Sequence, residues 1–161
     1  MSGSLKWLVF ASISLMLTMM NIDFSGVVLA LPSIAKDLHS NLTPMQWVIN
    51  GYAIAAAAFV LFGGCLGDIY GRVRFYFVGI GLFVLAVFLI GISTTQTAII
   101  FFRVVQGIGA AISWPLGIVL IKNAFPPEQQ GFSLGLAAMV MGLSISIGPP
   151  VIGIILHLFN W

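Results

Sequence analysis

The sequence contains very few charged residues and a single cysteine. Of its 161 residues, four are acidic and six are basic, with a formal net charge of +2. A soluble domain carries about a quarter charged residues because its surface faces water, so this composition excludes a soluble globular protein. The scattered bases weigh against a nucleic-acid-binding face, and the lone Cys65 excludes a disulfide within the chain.

Residue groups that could hold a metal ion or catalyse a reaction are also missing from the sequence. No cluster of histidine, cysteine, aspartate and glutamate has metal-ligand spacing, and the two histidines, His39 and His157, stand near the outer ends of apolar runs. The sequence therefore predicts neither an enzyme nor a protein with a bound metal or cofactor.

Long apolar runs make up most of the chain, in which 60% of the residues are hydrophobic. Polar breaks divide the chain into five spans, residues 7–31, 47–66, 75–92, 97–121 and 131–159. A helix needs roughly 20 apolar residues to cross a bilayer, and inside hydrocarbon a helix satisfies its own backbone donors and acceptors. The runs lack the two-residue alternation of a membrane β-barrel. We therefore predict an all-α polytopic membrane protein with five transmembrane helices.

The boundaries of these spans carry local sequence signals. The first run follows Lys6 and could be mistaken for a signal peptide, but it is longer than a signal h-region and no convincing cleavage site follows. We expect it to be retained as a helix. Thr43 is predicted to cap the second helix with Pro44 at its first position, and Pro126-Pro127-Glu128 precedes the fifth.

The basic residues near the helix ends predict the orientation of the chain. If the N-terminus is cytoplasmic, one base near a helix end, Lys36, lies in an outer loop beside Asp37. The four bases on the inner side are then Lys6, Arg72, Arg74 and Lys122. This positive-inside pattern predicts a multi-pass protein of a cell membrane, and we expect a bacterial inner membrane. The tryptophans expected near the interfaces are Trp7, Trp47 and Trp161.

Two ionisable residues, Asp23 and Arg103, interrupt otherwise apolar helices. A charge at the centre of a membrane helix costs about 2.5 to 3.5 kcal/mol on the insertion scale, so such residues usually have a function. Counted along each helix, Asp23 lies roughly 12 Å and Arg103 roughly 9 Å below the outer surface. We expect both to face a polar interior, where Asp23 takes and releases a proton, and Gln106 extends the polar stripe one turn below Arg103. The alternative is an ion pair that only holds the helices together.

A glycine-rich stretch joins the second and third helices. Residues 64–74 read Gly-Cys-Leu-Gly-Asp-Ile-Tyr-Gly-Arg-Val-Arg, which resembles the loop motif of the major facilitator superfamily, G-x-L-a-D-r-x-G-r-k. Five residues match the motif, namely Gly64, Leu66, Asp68, Gly71 and Arg72, whereas Ile69 stands where a base is usual and the second base is displaced by one position. The resemblance implies that Gly64, Asp68, Gly71 and Arg72 belong to a cytoplasmic gating loop. An ordinary positive-inside hairpin would explain the bases but not Asp68.

The fourth helix carries a second motif of the same superfamily. Residues 103–111 read Arg-Val-Val-Gln-Gly-Ile-Gly-Ala-Ala, similar to R-x-x-Q-G-x-g-a-A. In that family the arginine is associated with proton transfer, which implies a coupling role for Arg103. The small residues from Gly107 onward would allow close helix packing, and that packing alone is a sufficient explanation for the glycines.

The fifth and first helices resemble motifs of the drug:proton antiporters in this superfamily. Gly148, Pro149 and Gly153 match parts of g-x8-G-x3-G-P-x2-G-G, although Ser144 replaces one glycine, and the Gly-Pro step is expected to bend the helix. Such bends also occur without any role in transport. In the first helix, Asp23 and the Ala-Leu-Pro of residues 30–32 resemble the stretch L-D-x-T-I-V-N-V-A-L-P of the fourteen-helix branch. Trp47 and Tyr52 in the second helix also resemble that branch.

Taken with the apolar spans, the resemblance implies that residues 1–161 form most of the N-terminal six-helix half-bundle of a proton-coupled antiporter. It implies export of a drug or another small amphiphilic or cationic molecule, in exchange for protons and within membrane lipid. Asn21 and Gln106 are expected to line the substrate cavity.

The length of the chain raises a separate expectation. Transporters of this superfamily have two six-helix halves with the substrate site between them, so this chain would lack a sixth helix and the second half, its expected partner. A split reading frame, a fragment, or a small membrane protein that acts by association would each explain this. The alternative function is accordingly a truncated protein that does not transport, acting by helix association or persisting as an inactive remnant.

Overall fold

The computed structural model describes residues 3–38 and 40–158. These form six helices, α1 (Gly3–Asp37), α2 (Leu42–Met45), α3 (Trp47–Tyr70), α4 (Arg72–Gly91), α5 (Gln96–Ala124) and α6 (Pro127–Leu158). All but the single turn of α2 are long and apolar enough to cross a membrane. The predicted all-α architecture with five membrane-length helices is confirmed. His39, the predicted helix end at Phe159 and the predicted interfacial Trp161 lie outside the described residues.

The helices extend beyond the apolar runs from which they were predicted. Helix α1 reaches Asp37 rather than residue 31, and α6 begins at Pro127 rather than residue 131. Polar residues continue a helix at the bilayer surface, where water satisfies the terminal backbone groups. Pro127 suits the first helical position because its missing N–H needs no partner there. Thr43 lies inside α2, and the residue before α3 is Gln46, which makes no side-chain capping bond.

A single residue, Gly71, joins α3 to α4. Its φ angle of 103° is a conformation that residues with a Cβ rarely adopt. The Gly71 N–H donates to the carbonyl of Gly67 at 3.0 Å, and the N–H of Phe75 donates to the carbonyl of Gly71 at 3.1 Å. The turn therefore closes the end of one helix and opens the next.

The chain divides into two compact units. Among the described residues, unit 1 combines residues 3–29 with residues 117–158, and unit 2 contains residues 30–38 and 40–116. Unit 1 thus holds most of α1, the last turns of α5 and all of α6, whereas unit 2 holds α3, α4 and the larger part of α5.

In unit 1, α1 and α6 run in parallel and in contact. The Ser144 hydroxyl on α6 donates to the Thr18 hydroxyl on α1 at 3.0 Å. Further along both helices, Gly148 packs against the Ser25 side chain so closely that a Cβ on Gly148 would overlap it. The α1–α6 contact is therefore partly polar, and it depends on a glycine.

In unit 2, α5 packs against both α3 and α4 through glycines. A Cβ on Gly63 of α3 would lie 2.8 Å from the carbonyl oxygen of Ala111, and a Cβ on Gly109 of α5 would lie 2.7 Å from the backbone nitrogen of Phe83 on α4. Separations this short bring backbones into direct contact, as small residues permit in membrane bundles. Buried apolar side chains of unit 2 include Val48, Ala55, Phe83, Ala86, Ile99 and Leu116.

Candidate functional site

A buried polar cluster lies on α5 inside unit 2. Arg103 is 2% exposed and Gln106 is fully buried. Their spacing of three residues places them on one face of the helix, and the Arg103 Nη1 donates to the Gln106 Oε1 at 2.7 Å. The structure therefore brings together two of the residues that the sequence predicts for the site.

Tyr52 of α3 completes this cluster. The Cζ atom of Arg103 lies 5.8 Å from the centroid of the Tyr52 ring, within the range of a cation–π interaction. Helix α3 can pack closely on α5 at this point because Gly107 has no side chain. A Cβ on Gly107 would lie 3.1 Å from the Cβ of Ala55. Tyr52 itself is 8% exposed. Gly107 of the arginine motif thus allows α3 to pack close enough for the Tyr52 ring to contact the guanidinium.

The surroundings of Arg103 determine what it can do chemically. A guanidinium does not lose its proton in proteins, so Arg103 carries a permanent positive charge in a membrane-spanning helix. The amide oxygen of Gln106 and the electron-rich face of Tyr52 offset part of its desolvation. Such a fixed charge can attract an anion or lower the proton affinity of a nearby carboxyl group. It cannot carry the proton itself.

Asp23 and Asn21 lie on α1 in unit 1, and both are half-buried. The Asn21 side-chain amide donates to the carbonyl of Leu17 at 2.8 Å. Asp23 lies two positions before Ser25, the residue that contacts Gly148 of α6. Because Asp23 belongs to unit 1 and Arg103 to unit 2, the communication between these two charges remains a prediction, as does the cavity role of Asn21.

The predicted gating loop forms an ion pair within itself. The Arg72 Nε lies 2.7 Å from the Asp68 Oδ1, and the two side chains are 42% and 60% exposed. Gly71 between them supplies the turn, and Gly64 has open space where a side chain would be. The acid and base of the motif therefore pair across the α3–α4 turn, while their gating role remains a prediction.

The motif on α6 contacts α1 through one of its glycines. Gly148 packs on Ser25, whereas no atom of the described part of the chain lies within 4 Å of the Cβ position of Gly153. Helix α6 continues through Pro149. Gly148 thus allows α1 to pack closely on α6. The sequence motif had suggested only a bend of the helix at this position.

Within residues 3–38 and 40–158, no three histidine, cysteine, aspartate or glutamate side chains lie close enough to hold a metal ion.

Comparison with known proteins places these features in a family. The profile described as Major Facilitator Superfamily matches residues 11–161. The chain belongs to the major facilitator superfamily. Membership of this transporter family agrees with the multi-pass helices and supports the prediction that the chain is not an enzyme.

Three relatives from this superfamily show how far the similarity extends. The riboflavin transporter RibZ of Clostridioides difficile is 35% identical over 97% of this chain and 34% of its own length. The tetracenomycin C resistance and export protein of Streptomyces glaucescens is 32% identical over 96% of this chain and 29% of its own length. The multidrug export protein EmrB of Haemophilus influenzae is 33% identical over 99% of this chain and 31% of its own length. The chain spans about one third of the length of the curated relatives that it matches.

Proposed function

We propose that this chain supplies the N-terminal helices of a proton-coupled exporter of drugs or other amphiphilic, cationic small molecules. The observation that carries the proposal is the Arg103, Gln106 and Tyr52 cluster, a permanent charge held inside a membrane-spanning helix. Relatives named as drug and antibiotic exporters support export, and the relative named as a riboflavin transporter indicates that substrates vary within this group.

In the proposed mechanism Asp23 carries the coupling proton. A carboxyl group near the middle of α1 can bind a proton when water reaches it from one side and lose it when water reaches it from the other. Arg103 acts through its fixed charge, which favours the deprotonated form of a carboxyl group that comes near it. A cationic substrate would compete with the proton for the carboxylate, and this competition couples export to proton entry.

The remaining predicted residues have supporting roles. Asn21 and Gln106 line the substrate path, and the Asp68–Arg72 pair controls opening on the cytoplasmic side. The Gly148-Pro149 step allows α6 to bend. We place the protein in a cell membrane with a cytoplasmic N-terminus, working with a second set of helices that closes the cavity.

The test measures proton movement that depends on a substrate. The protein, expressed from its whole natural reading frame in cells without their own drug exporters, is studied in everted membrane vesicles with an acidic interior. Amphiphilic and cationic compounds are added while a pH-sensitive dye reports the gradient. We expect at least one compound to dissipate the gradient in wild type.

Two variants identify the residue that carries the proton. Asp23→Asn should abolish the response because an amide cannot exchange a proton, whereas Asp37→Asn, at the exposed end of the same helix, should keep it within twofold. No response from any compound, with the protein present in the membrane, would contradict proton-coupled export and favour a protein that acts by helix association. An undiminished response in Asp23→Asn would remove Asp23 from the mechanism.

A further inference from the structure

A cluster of one lysine, three aromatic rings and an amide lies at one end of unit 1. This cluster, which we name the Lys6 cluster, consists of Lys6, Trp7, Phe10, Phe125 and Gln129. The Lys6 ammonium donates to the Gln129 Oε1 at 2.6 Å and lies 5.3 Å from the centroid of the Phe125 ring. Trp7 and Phe10 meet that ring edge-on, with centroid distances of 5.3 and 6.1 Å.

We expect the Lys6 cluster to lie at the depth of the lipid headgroups. Helix α1 begins at Gly3 and α6 at Pro127, and the contact between Lys6 and Gln129 places the two helix starts side by side. Trp7 is 43% exposed, and tryptophan side chains favour this interfacial level. Phe10 and Phe125 are almost fully buried beneath it, so the cluster has a fixed apolar base.

The positive charge of Lys6 is not balanced by the groups it contacts. An ammonium has three N–H donors, and here its contacts are a neutral amide and a neutral ring. Among the described residues, no carboxylate forms a salt bridge with Lys6, although Glu128 precedes Gln129 in the chain. Lys122, an exposed residue in the last turn of α5 and three positions before Phe125, adds a second base near this end of unit 1.

We propose that the Lys6 cluster binds the phosphate of an anionic phospholipid headgroup. Lys6 and Lys122 would contact the phosphate, and the Trp7 ring would pack at the level of the lipid glycerol. The orientation of the helices favours the same ligand, because the N-terminal ends of α1 and α6 carry partial positive charge. A zwitterionic lipid should bind more weakly, because its own cationic group offsets the attraction. The inference does not depend on transport.

The test measures lipid binding to the purified chain in neutral detergent micelles. Dioleoylphosphatidylglycerol is titrated, and native mass spectrometry counts the lipids retained, with dioleoylphosphatidylcholine in a parallel titration. Each lysine near a membrane surface contributes about fivefold in affinity for anionic lipid. We expect Lys6→Gln and Lys122→Gln each to weaken phosphatidylglycerol binding about fivefold, and the double variant to weaken it further.

Two further variants separate charge from folding. Lys6→Arg keeps the positive charge and should retain wild-type binding. Lys36→Gln removes an exposed base beside Asp37 at the other end of α1 and should change binding by less than twofold. Equal affinity of wild type and the Lys6→Gln, Lys122→Gln double variant would overturn the proposal, as would equal affinity for the two lipids. Displacement of the lipid by millimolar inorganic phosphate would instead identify a site for a free anion and also contradict it.

Discussion

The guanidinium of Arg103 faces the ring of Tyr52 at a distance of 5.8 Å, and the two residues come from different helices of unit 2. Together with the bond from Arg103 to Gln106, this contact gives a permanent charge in the membrane a defined position. A charge that stays in place can influence the proton affinity of a neighbouring group reproducibly, which a mobile side chain cannot do. Tyr52 is therefore the residue through which α3 affects the proposed coupling.

Substitutions of Tyr52 test whether its aromatic face holds Arg103. Tyr52→Phe keeps the ring, whereas Tyr52→Leu removes it and should lower the free energy of unfolding by about 2 kcal/mol, the size of a desolvated cation–π interaction. We expect Tyr52→Phe to lose less than half as much. Unfolding in sodium dodecyl sulfate, followed by circular dichroism, measures both. Equal losses in the two variants would show that the ring does not hold the guanidinium.

The backbone contact between α4 and α5 predicts a steep dependence on one glycine. A Cβ on Gly109 would lie 2.7 Å from the nitrogen of Phe83 and 2.8 Å from the carbonyl oxygen of Gly79, and neither backbone atom can move away easily. Gly109→Ala should therefore destabilise the chain by about 1 to 3 kcal/mol. Gly81→Ala on α4, where space is open, should be neutral or slightly stabilising in the same unfolding assay. Similar stability of both variants would argue against this contact.

The sequence predicted the helices because the bilayer restricts the choice so strongly. Apolar runs of this length can only be helical in lipid, and the glycines around residue 71 mark the turn. The prediction of a polar stripe through Arg103 and Gln106 followed from helical spacing alone. Contacts between helices were not predictable in this way. The meeting of Tyr52 with Arg103 depends on the rotation of α3 about its axis, and an apolar run without a strong polar face does not specify that rotation.

The same limit applies to α6. Its Gly148 was interpreted through the Gly-Pro step, because a missing hydrogen bond is visible in the sequence. That Gly148 packs on Ser25 depends on the register between α1 and α6, which a single sequence does not contain. For the same reason the polar contact between Thr18 and Ser144 was not predicted, although both residues interrupt apolar runs.

The turn at Gly71 allows backbone strain to be separated from crowding. No atom of the described residues lies within 4 Å of the Cβ position of Gly71, so its φ of 103° is the obstacle that these residues present to a side chain there. Gly71→Ala should cost about 1 to 3 kcal/mol in unfolding free energy. Gly64→Ala, also in open space but within α3, serves as the control and should cost less than 0.5 kcal/mol, roughly the limit for substitutions that disturb nothing. A neutral Gly71→Ala would mean that the turn relaxes to another conformation.

The bond between Thr18 and Ser144 can be measured with a double-mutant cycle. Thr18→Val and Ser144→Ala each remove one hydroxyl, and the double variant removes both. Interhelical bonds of this kind average about 0.6 kcal/mol in membranes, so we expect a coupling of that size. The Ser144 oxygen also lies 2.6 Å from the carbonyl of Val140, so its single proton is shared between two acceptors. In Thr18→Val the Ser144 hydroxyl therefore keeps a partner. Strictly additive effects would show that α1 and α6 do not depend on this bond.

The buried charge on α5 is proposed to couple a proton gradient to transport. The rate of substrate transport in proteoliposomes, with and without an imposed pH gradient, tests this coupling for wild type and Arg103→Gln. The exposed Lys36→Gln serves as the control. We expect the gradient to accelerate transport in wild type and in Lys36→Gln, and we expect this acceleration to be lost in Arg103→Gln. Acceleration of the wild-type size in Arg103→Gln would contradict it.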